Sequence, residues 1–109
     1  MSKYRNRKTI IDGITFDSKG EANRYCELKL LQRAGEISDL TLQPKFTLQE
    51  SFKKGKKTHR AITYVADFQY QENGKTVVED YKGMETEVFR IKRKLFAKRY
   101  PDQELRIVR

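Results

Sequence analysis

A chain of 109 residues holds one domain with a small core. Its 24 Lys and Arg against 15 Asp and Glu leave a net charge of +9, which points to a polyanionic partner such as nucleic acid. Six Phe and six Tyr are too many for a disordered chain. The lone cysteine, Cys26, excludes an internal disulfide and a Cys-based zinc site, and the lone histidine, His59, excludes a His cluster. No apolar run reaches membrane length and no signal-peptide pattern is present, so a cytoplasmic protein without membrane contact is expected.

The positive charge is concentrated in three stretches. Residues 1–8 form a basic arm with Lys3, Arg5, Arg7 and Lys8. Residues 51–66 hold Lys53, Lys54, Lys56, Lys57 and Arg60 without an acid. Residues 88–101 hold Arg90, Lys92, Arg93, Lys94, Lys98 and Arg99, again without an acid.

In chain order, residues 8–16 read as a hairpin turning at Asp12-Gly13. A helix follows from Asp17 or Ser18 to about Arg33. Ser18-Lys19-Gly20-Glu21 fits a capping box, and Gly35 stops the helix. Glu21, Tyr25 and Leu28 share one face of it, so Glu21 borders the buried side. Tyr25 and Cys26 are expected in the core. Residues 36–40 are a connection. Residues 42–50 are a strand with Leu42, Phe46 and Leu48 on one face, and Pro44 marks an edge or a strand start.

The KKGKK loop then tips a hairpin into a strand over residues 59–71. Asn73-Gly74 makes the next turn, and residues 76–82 return. Gly83 breaks that strand. The second helix spans residues 85–99 and ends before Pro101. Its apolar face carries Val88, Phe89, Leu95 and Phe96, with Lys92 in the middle of that face. Lys92 either snorkels to solvent or reaches an anion or the carboxylate site. A last strand covers residues 104–108. The fold class is α/β, a sandwich with a mixed sheet.

The Asn73-Gly74 hairpin carries the chemistry. With those two residues as the loop, Glu72 faces Lys75, and counting outward places Asp67 opposite Asp80. Lys82 then lies opposite Val65, on the same face as Asp80 and diagonal to Asp67. Cross-strand partners sit ~5 Å apart at Cβ, and like charges there are destabilising. A pair of facing acids therefore calls for a cation. Carboxylates on adjacent strands suit a hard divalent ion such as Mg²⁺ or Mn²⁺, which polarises a phosphoryl oxygen and acidifies a water. A neighbouring lysine orients that water or steadies developing charge. Glu79 points to the other face and is expected in solvent.

These residues resemble a known family. Ala66-Asp67, then Asp80-Tyr81-Lys82, after a helix bearing Glu21, is similar to the pattern of the PD-(D/E)XK nuclease superfamily. The nearer likeness is to a group of small phage and prophage proteins within it, through DGITFDSKGEANRY, GEISDLTLQPKFTL, ITYVADFQY, VVEDYKG and the basic second helix, over about residues 12–100. Ala66 stands where the superfamily motif has proline.

The resemblance implies a single restriction-endonuclease-like domain over residues 1–109, a central mixed β-sheet with a flanking helix before and after the catalytic hairpin. It makes Asp67, Asp80 and the Tyr81 main-chain carbonyl metal ligands, Lys82 the catalytic lysine, Glu21 the helical acid and a further ligand, and Gln43 a polar support. It implies a Mg²⁺- or Mn²⁺-dependent endonuclease acting on DNA, with branched DNA such as Holliday junctions in phage replication or recombination as one substrate class. A homodimer matches two-fold branched substrates. For a phage-encoded chain the compartment is the bacterial cytoplasm. Lys53, Lys54, Lys56, Lys57, Arg60, Lys92 and Lys94 would hold the backbone.

Simpler readings stand beside these. The acids could pair with Lys or Arg on a wet sheet face, Glu21 could only cap its helix, and the KKGKK tip could be a solvated loop. The alternative function is a non-catalytic nucleic-acid-binding phage accessory protein on a nuclease-like scaffold.

Overall fold

The computed structural model describes residues 8–109, and the protein is a mixed α/β fold. The basic arm expected over residues 1–8 lies, but for Lys8, outside the described residues. No helix among them is long and apolar enough to cross a membrane.

The first hairpin joins β1 (Thr9–Ile11) to β2 (Ile14–Phe16). Its turn residues Asp12 and Gly13 have φ of 53° and 75°, the mirror-image turn that matches strand twist. Helix α1 (Lys19–Arg33) starts on Ser18, whose side chain accepts from the Glu21 N–H. It ends in a Schellman motif. Gly35 at φ 81° donates to the Gln32 carbonyl and Glu36 to the Leu31 carbonyl. Start and stop both fall where the sequence placed them.

The middle of the chain departs from expectation. The strand read over residues 42–50 is two strands, β3 (Ser38–Leu42) and β4 (Lys45–Gln49), parted at Gln43-Pro44. The connection expected over residues 36–40 is therefore partly strand. The strand read over residues 59–71 is three, β6 (Lys57–His59), β7 (Ile62–Val65) and β8 (Phe68–Glu72). The cause is a change of sheet. β7 pairs with β4, whereas β8 pairs with β3 and with β9 (Lys75–Tyr81). The Ala66 N–H still reaches back to the Pro44 carbonyl, while the Asp67 N–H already bonds the Glu79 carbonyl at 3.2 Å. Asp67 thus sits at the point where the chain passes from one sheet to the other. Gln43, at φ 50°, makes the matching switch and donates its N–H to the Asp67 carbonyl at 2.9 Å.

With a last strand, β10 (Gln103–Val108), the main sheet runs β10-β9-β8-β3. β10 lies parallel to β9, from Gln103↔Thr76 to Val108↔Tyr81. A parallel neighbour needs a crossover, which α2 (Glu87–Arg99) supplies. Thr86 caps α2 by accepting from the Phe89 N–H.

One hydrophobic cluster lies under α1 and holds Phe16, Tyr25, Leu28, Phe68, Tyr70 and Val77. The other lies under α2 and the β4–β7 pair and holds Phe46, Leu48, Tyr64, Ala66, Val78, Phe89 and Phe96. β9 is therefore buried on both faces. Phe89 and Phe96 are core residues as predicted, but Val88 is exposed. Cys26 is also exposed, since the buried side of α1 follows Ala22, Tyr25 and Leu28.

Beyond β4 and β7 the two chains continue outward as β5 (Phe52–Lys54) and β6 (Lys57–His59), so residues 45–65 form one bent two-stranded ribbon. Gly55, at φ 63°, makes its tip.

Candidate functional site

The β8–β9 register runs from Glu72↔Lys75 to Phe68↔Glu79, with Asn73 and Gly74 at φ 52° and 75° in the turn. One further step brings Asp67 to face Asp80. The acids are placed by opposite means. Asp80 belongs to the central strand and is buried, whereas Asp67 stands at the sheet switch and is half-buried. A cavity of about 490 Å³ opens there, lined by Glu21, Asp67, Asp80, Tyr81 and Lys82 together with the start of α1.

Asp67 lies between Asp80 and Glu21, and each of these neighbours acts on its carboxyl. The Tyr81 N–H donates to Asp67 Oδ2 at 2.7 Å, and the Tyr64 hydroxyl donates to Asp80 Oδ2 at 2.5 Å. Lys82 Nζ lies 3.6 Å from Asp80 Oδ2 and 4.7 Å from the centroid of the Phe89 ring. The lysine is near its acid, as their shared strand face predicts, but its expected cross-strand partner is not there. β7 pairs with β4, so Val65 does not face Lys82. Lys82 lies just past β9, where its N–H bonds the Val108 carbonyl at 2.9 Å.

Burial raises the carboxyls, and their mutual repulsion adds to it. Asp80 is pushed up to about 7 by burial and by Asp67, and Asp67 to about 6, mainly by burial. Glu21 is raised by burial as well. Burial and the Asp80 carboxylate together push the Tyr64 phenol well above its ordinary range.

The consequence for stability has a definite sign. The folded chain keeps protons on these carboxyls that the unfolded chain releases near pH 4. Their contribution is therefore fully present below about pH 4 and is lost as pH rises through about 7. Asp80→Asn keeps an acceptor for Tyr64 and removes the charge. In EDTA it is expected to be more stable than wild type at pH 8, by on the order of 3 kcal/mol. The gap closes toward pH 4, and urea unfolding across that range reads it.

Among the described residues, no three His, Cys, Asp or Glu side chains stand arranged to hold a metal ion between them. Asp67 Oδ2 and Asp80 Oδ2 are turned to protein donors. The donor set nonetheless suits a hard cation. Two raised carboxylates face each other with Lys82 as the nearby cation, and the main chain at Tyr81 adjoins them. Oxygen donors alone, with no sulfur or imidazole, match Mg²⁺ or Mn²⁺.

Gln43 is exposed and meets the site through its backbone N–H. Lys92 is half-buried and lines an adjoining cavity of about 330 Å³ with Thr63, Thr86 and Lys82. Lys94 is exposed on α2, and Lys53, Lys54, Lys56, Lys57 and Arg60 are exposed on the ribbon.

Three features were not foreseen. Glu79, expected in solvent, is fully buried. Arg24 of α1 grips it with two guanidinium nitrogens, Nη2 at 3.1 Å, and the Tyr70 hydroxyl donates to Oε2 at 2.7 Å. That partnership raises Arg24 and, with burial, pushes Tyr70 up to about 12. Sheet alternation put Glu79 on the face opposite Asp80, but a helix covers that face too. The second is Tyr64 of β7, whose alternation with Ala66, just past the strand, was the available signal.

The third is Gly20. A Cβ there would fall 2.1 Å from the Tyr81 hydroxyl oxygen. Alanine favours helices over glycine by about 1 kcal/mol. Gly20→Ala is nevertheless expected to lower stability, by about 1 kcal/mol, because the Tyr81 ring must move. Adding Tyr81→Ala removes the clash, so thermal melts of the single and double variants test it.

Comparison with curated proteins finds no match, nor does comparison with solved structures. A family model described as "Protein of unknown function (DUF1064)" matches residues 1–109, and the chain belongs to that family.

Proposed function

We propose that this chain is a Mg²⁺- or Mn²⁺-dependent endonuclease of restriction-endonuclease-like fold that hydrolyses phosphodiester bonds in DNA. The observation that carries this reading is the facing pair Asp67 and Asp80, with Lys82 Nζ 3.6 Å from Asp80, in one open cavity. The element order agrees with it, a helix before and a helix after the β8–β9 hairpin around a mixed sheet.

In this reading Asp67, Asp80 and the Tyr81 carbonyl hold the cation, and Glu21 steadies Asp67 from the helix. The cation, when bound, supplies charge stabilisation at the phosphoryl group and acidifies the attacking water. Lys82 orients that water or balances charge gathering on the phosphoryl oxygens. Tyr64 fixes one Asp80 oxygen and leaves the other for coordination. Thr63, Thr86 and Lys92 continue the cavity beyond Lys82 and suit a neighbouring phosphate of the same strand. Branched DNA is the favoured substrate class, and a homodimer its natural form.

The direct test incubates purified protein with branched, single-stranded and duplex DNA in Mg²⁺ and in Mn²⁺. Cleavage of at least one, abolished by EDTA, is expected. No cleavage of any overturns the enzyme reading and leaves a binding protein.

A further inference from the structure

The outer ribbon carries a second pair of like charges in register. Lys54 and Lys57 are cross-strand partners, as are Phe52 and His59. Positions two apart on a strand share a face, so these four side chains lie on one face of the ribbon. The Phe52 and His59 rings stack, with centroids 4.7 Å apart and planes 14° from parallel. Phe52 is 47% exposed and belongs to neither hydrophobic cluster. No acid lies between Ser51 and Ala66, and Glu50 is taken by Arg99 at 2.8 Å. Facing lysines destabilise a ribbon unless an anion joins them.

The spacing suits one kind of ligand. A two-residue step along a strand is ~6.7 Å. The backbone positions of the aromatic pair and of the lysine pair are therefore about one nucleotide's length apart. Bases stack on exposed rings without regard to sequence, but only when they are out of a duplex.

We propose that the ribbon tip, Phe52 to His59, binds unpaired nucleotides of single-stranded DNA, with a base on the Phe52–His59 stack and the adjoining phosphate between Lys54 and Lys57. The site is separate from the carboxylate cavity and is independent of any cleavage. It gives the chain a grip on the unpaired segments at branches and flaps.

The test is anisotropy of a labelled oligo-dT and of a blunt duplex, with protein in EDTA. Phe52→Ala is expected to weaken oligo-dT binding about tenfold, with duplex binding unchanged. Phe52→Trp restores it. The double change Lys54→Ala with Lys57→Ala is expected to lower the salt slope on oligo-dT by about 0.7, the value for one phosphate of a single strand. Equal loss on both ligands, or no loss with Phe52→Ala, overturns the proposal. Because Phe52 lies outside the core, an unchanged melting temperature distinguishes lost binding from lost folding. Because the readout is metal-free binding, a failed nuclease assay does not bear on it.

Discussion

Asp80→Asn and Lys82→Gln are each expected to cut Mg²⁺-dependent cleavage by about a thousandfold or more. Both should leave DNA binding in EDTA intact, because the basic ribbon lies apart from the cavity. The asparagine variant is the sharper of the two. It preserves the acceptor for Tyr64 and relieves the repulsion with Asp67, so it is expected to be the more stable protein at pH 8 and the inactive one. A loss of activity with a gain in stability separates a functional acid from a structural one. Alanine at this position would blur the contrast by leaving the buried Tyr64 hydroxyl without its partner, at a cost of about 1–3 kcal/mol. Lys82→Gln removes the cation and leaves a neutral polar side chain in its place, one atom shorter. Single-turnover cleavage at saturating protein reads both, and wild-type rates in either variant would remove that residue from the site.

Arg24→Ala is expected to cost more stability than any other single change discussed. It strands Glu79, which is fully buried, and breaking a buried ion pair from one side costs about 3–5 kcal/mol. Tyr70 alone remains on the carboxylate, since Arg106 reaches the Tyr70 oxygen at 3.3 Å rather than Glu79 itself. Pairing the change with Glu79→Gln removes the stranded charge and is expected to recover most of the loss, because the amide still accepts from Tyr70. Urea unfolding of the single and double variants gives the coupling energy. A single-variant loss below about 1 kcal/mol would mean that Arg24 carries little of the load.

The elements with local punctuation were legible in the sequence. Asn-Gly and Asp-Gly set two hairpins, the Ser-x-x-Glu box and Gly35 set α1, and Pro101 ends α2, whose start falls at Glu87 behind the Thr86 cap rather than at residue 85. The register that faces Asp67 with Asp80 follows from the turn alone, because a two-residue loop fixes every pair outward. Reading failed where tertiary context decided. The strand through residues 59–71 has continuous β-rich composition, and nothing local marks Ala66–Asp67 as the change of sheet. Glu79 shows the same limit. Alternation told which face it occupies, but not that α1 covers that face and brings Arg24 to it. Lys82 sits beside Asp80 as alternation along one face predicts, but the pairing read for it opposite Val65 does not form, because β7 leaves for another sheet.

The parallel pairing of β9 with β10 has a consequence for how the molecule comes into being. Both helices and all the hairpins close over short stretches of chain, but β10 returns to β9 only after α2 is spanned, and β8 returns to β3 over a similar length. Such a non-local pairing is entropically costly to close and tends to form late in folding. The strand that bears Asp80 acquires its second neighbour in that step, and Lys82 receives its tether to Val108. A partly folded chain would already display the basic ribbon while the carboxylate cavity was unfinished.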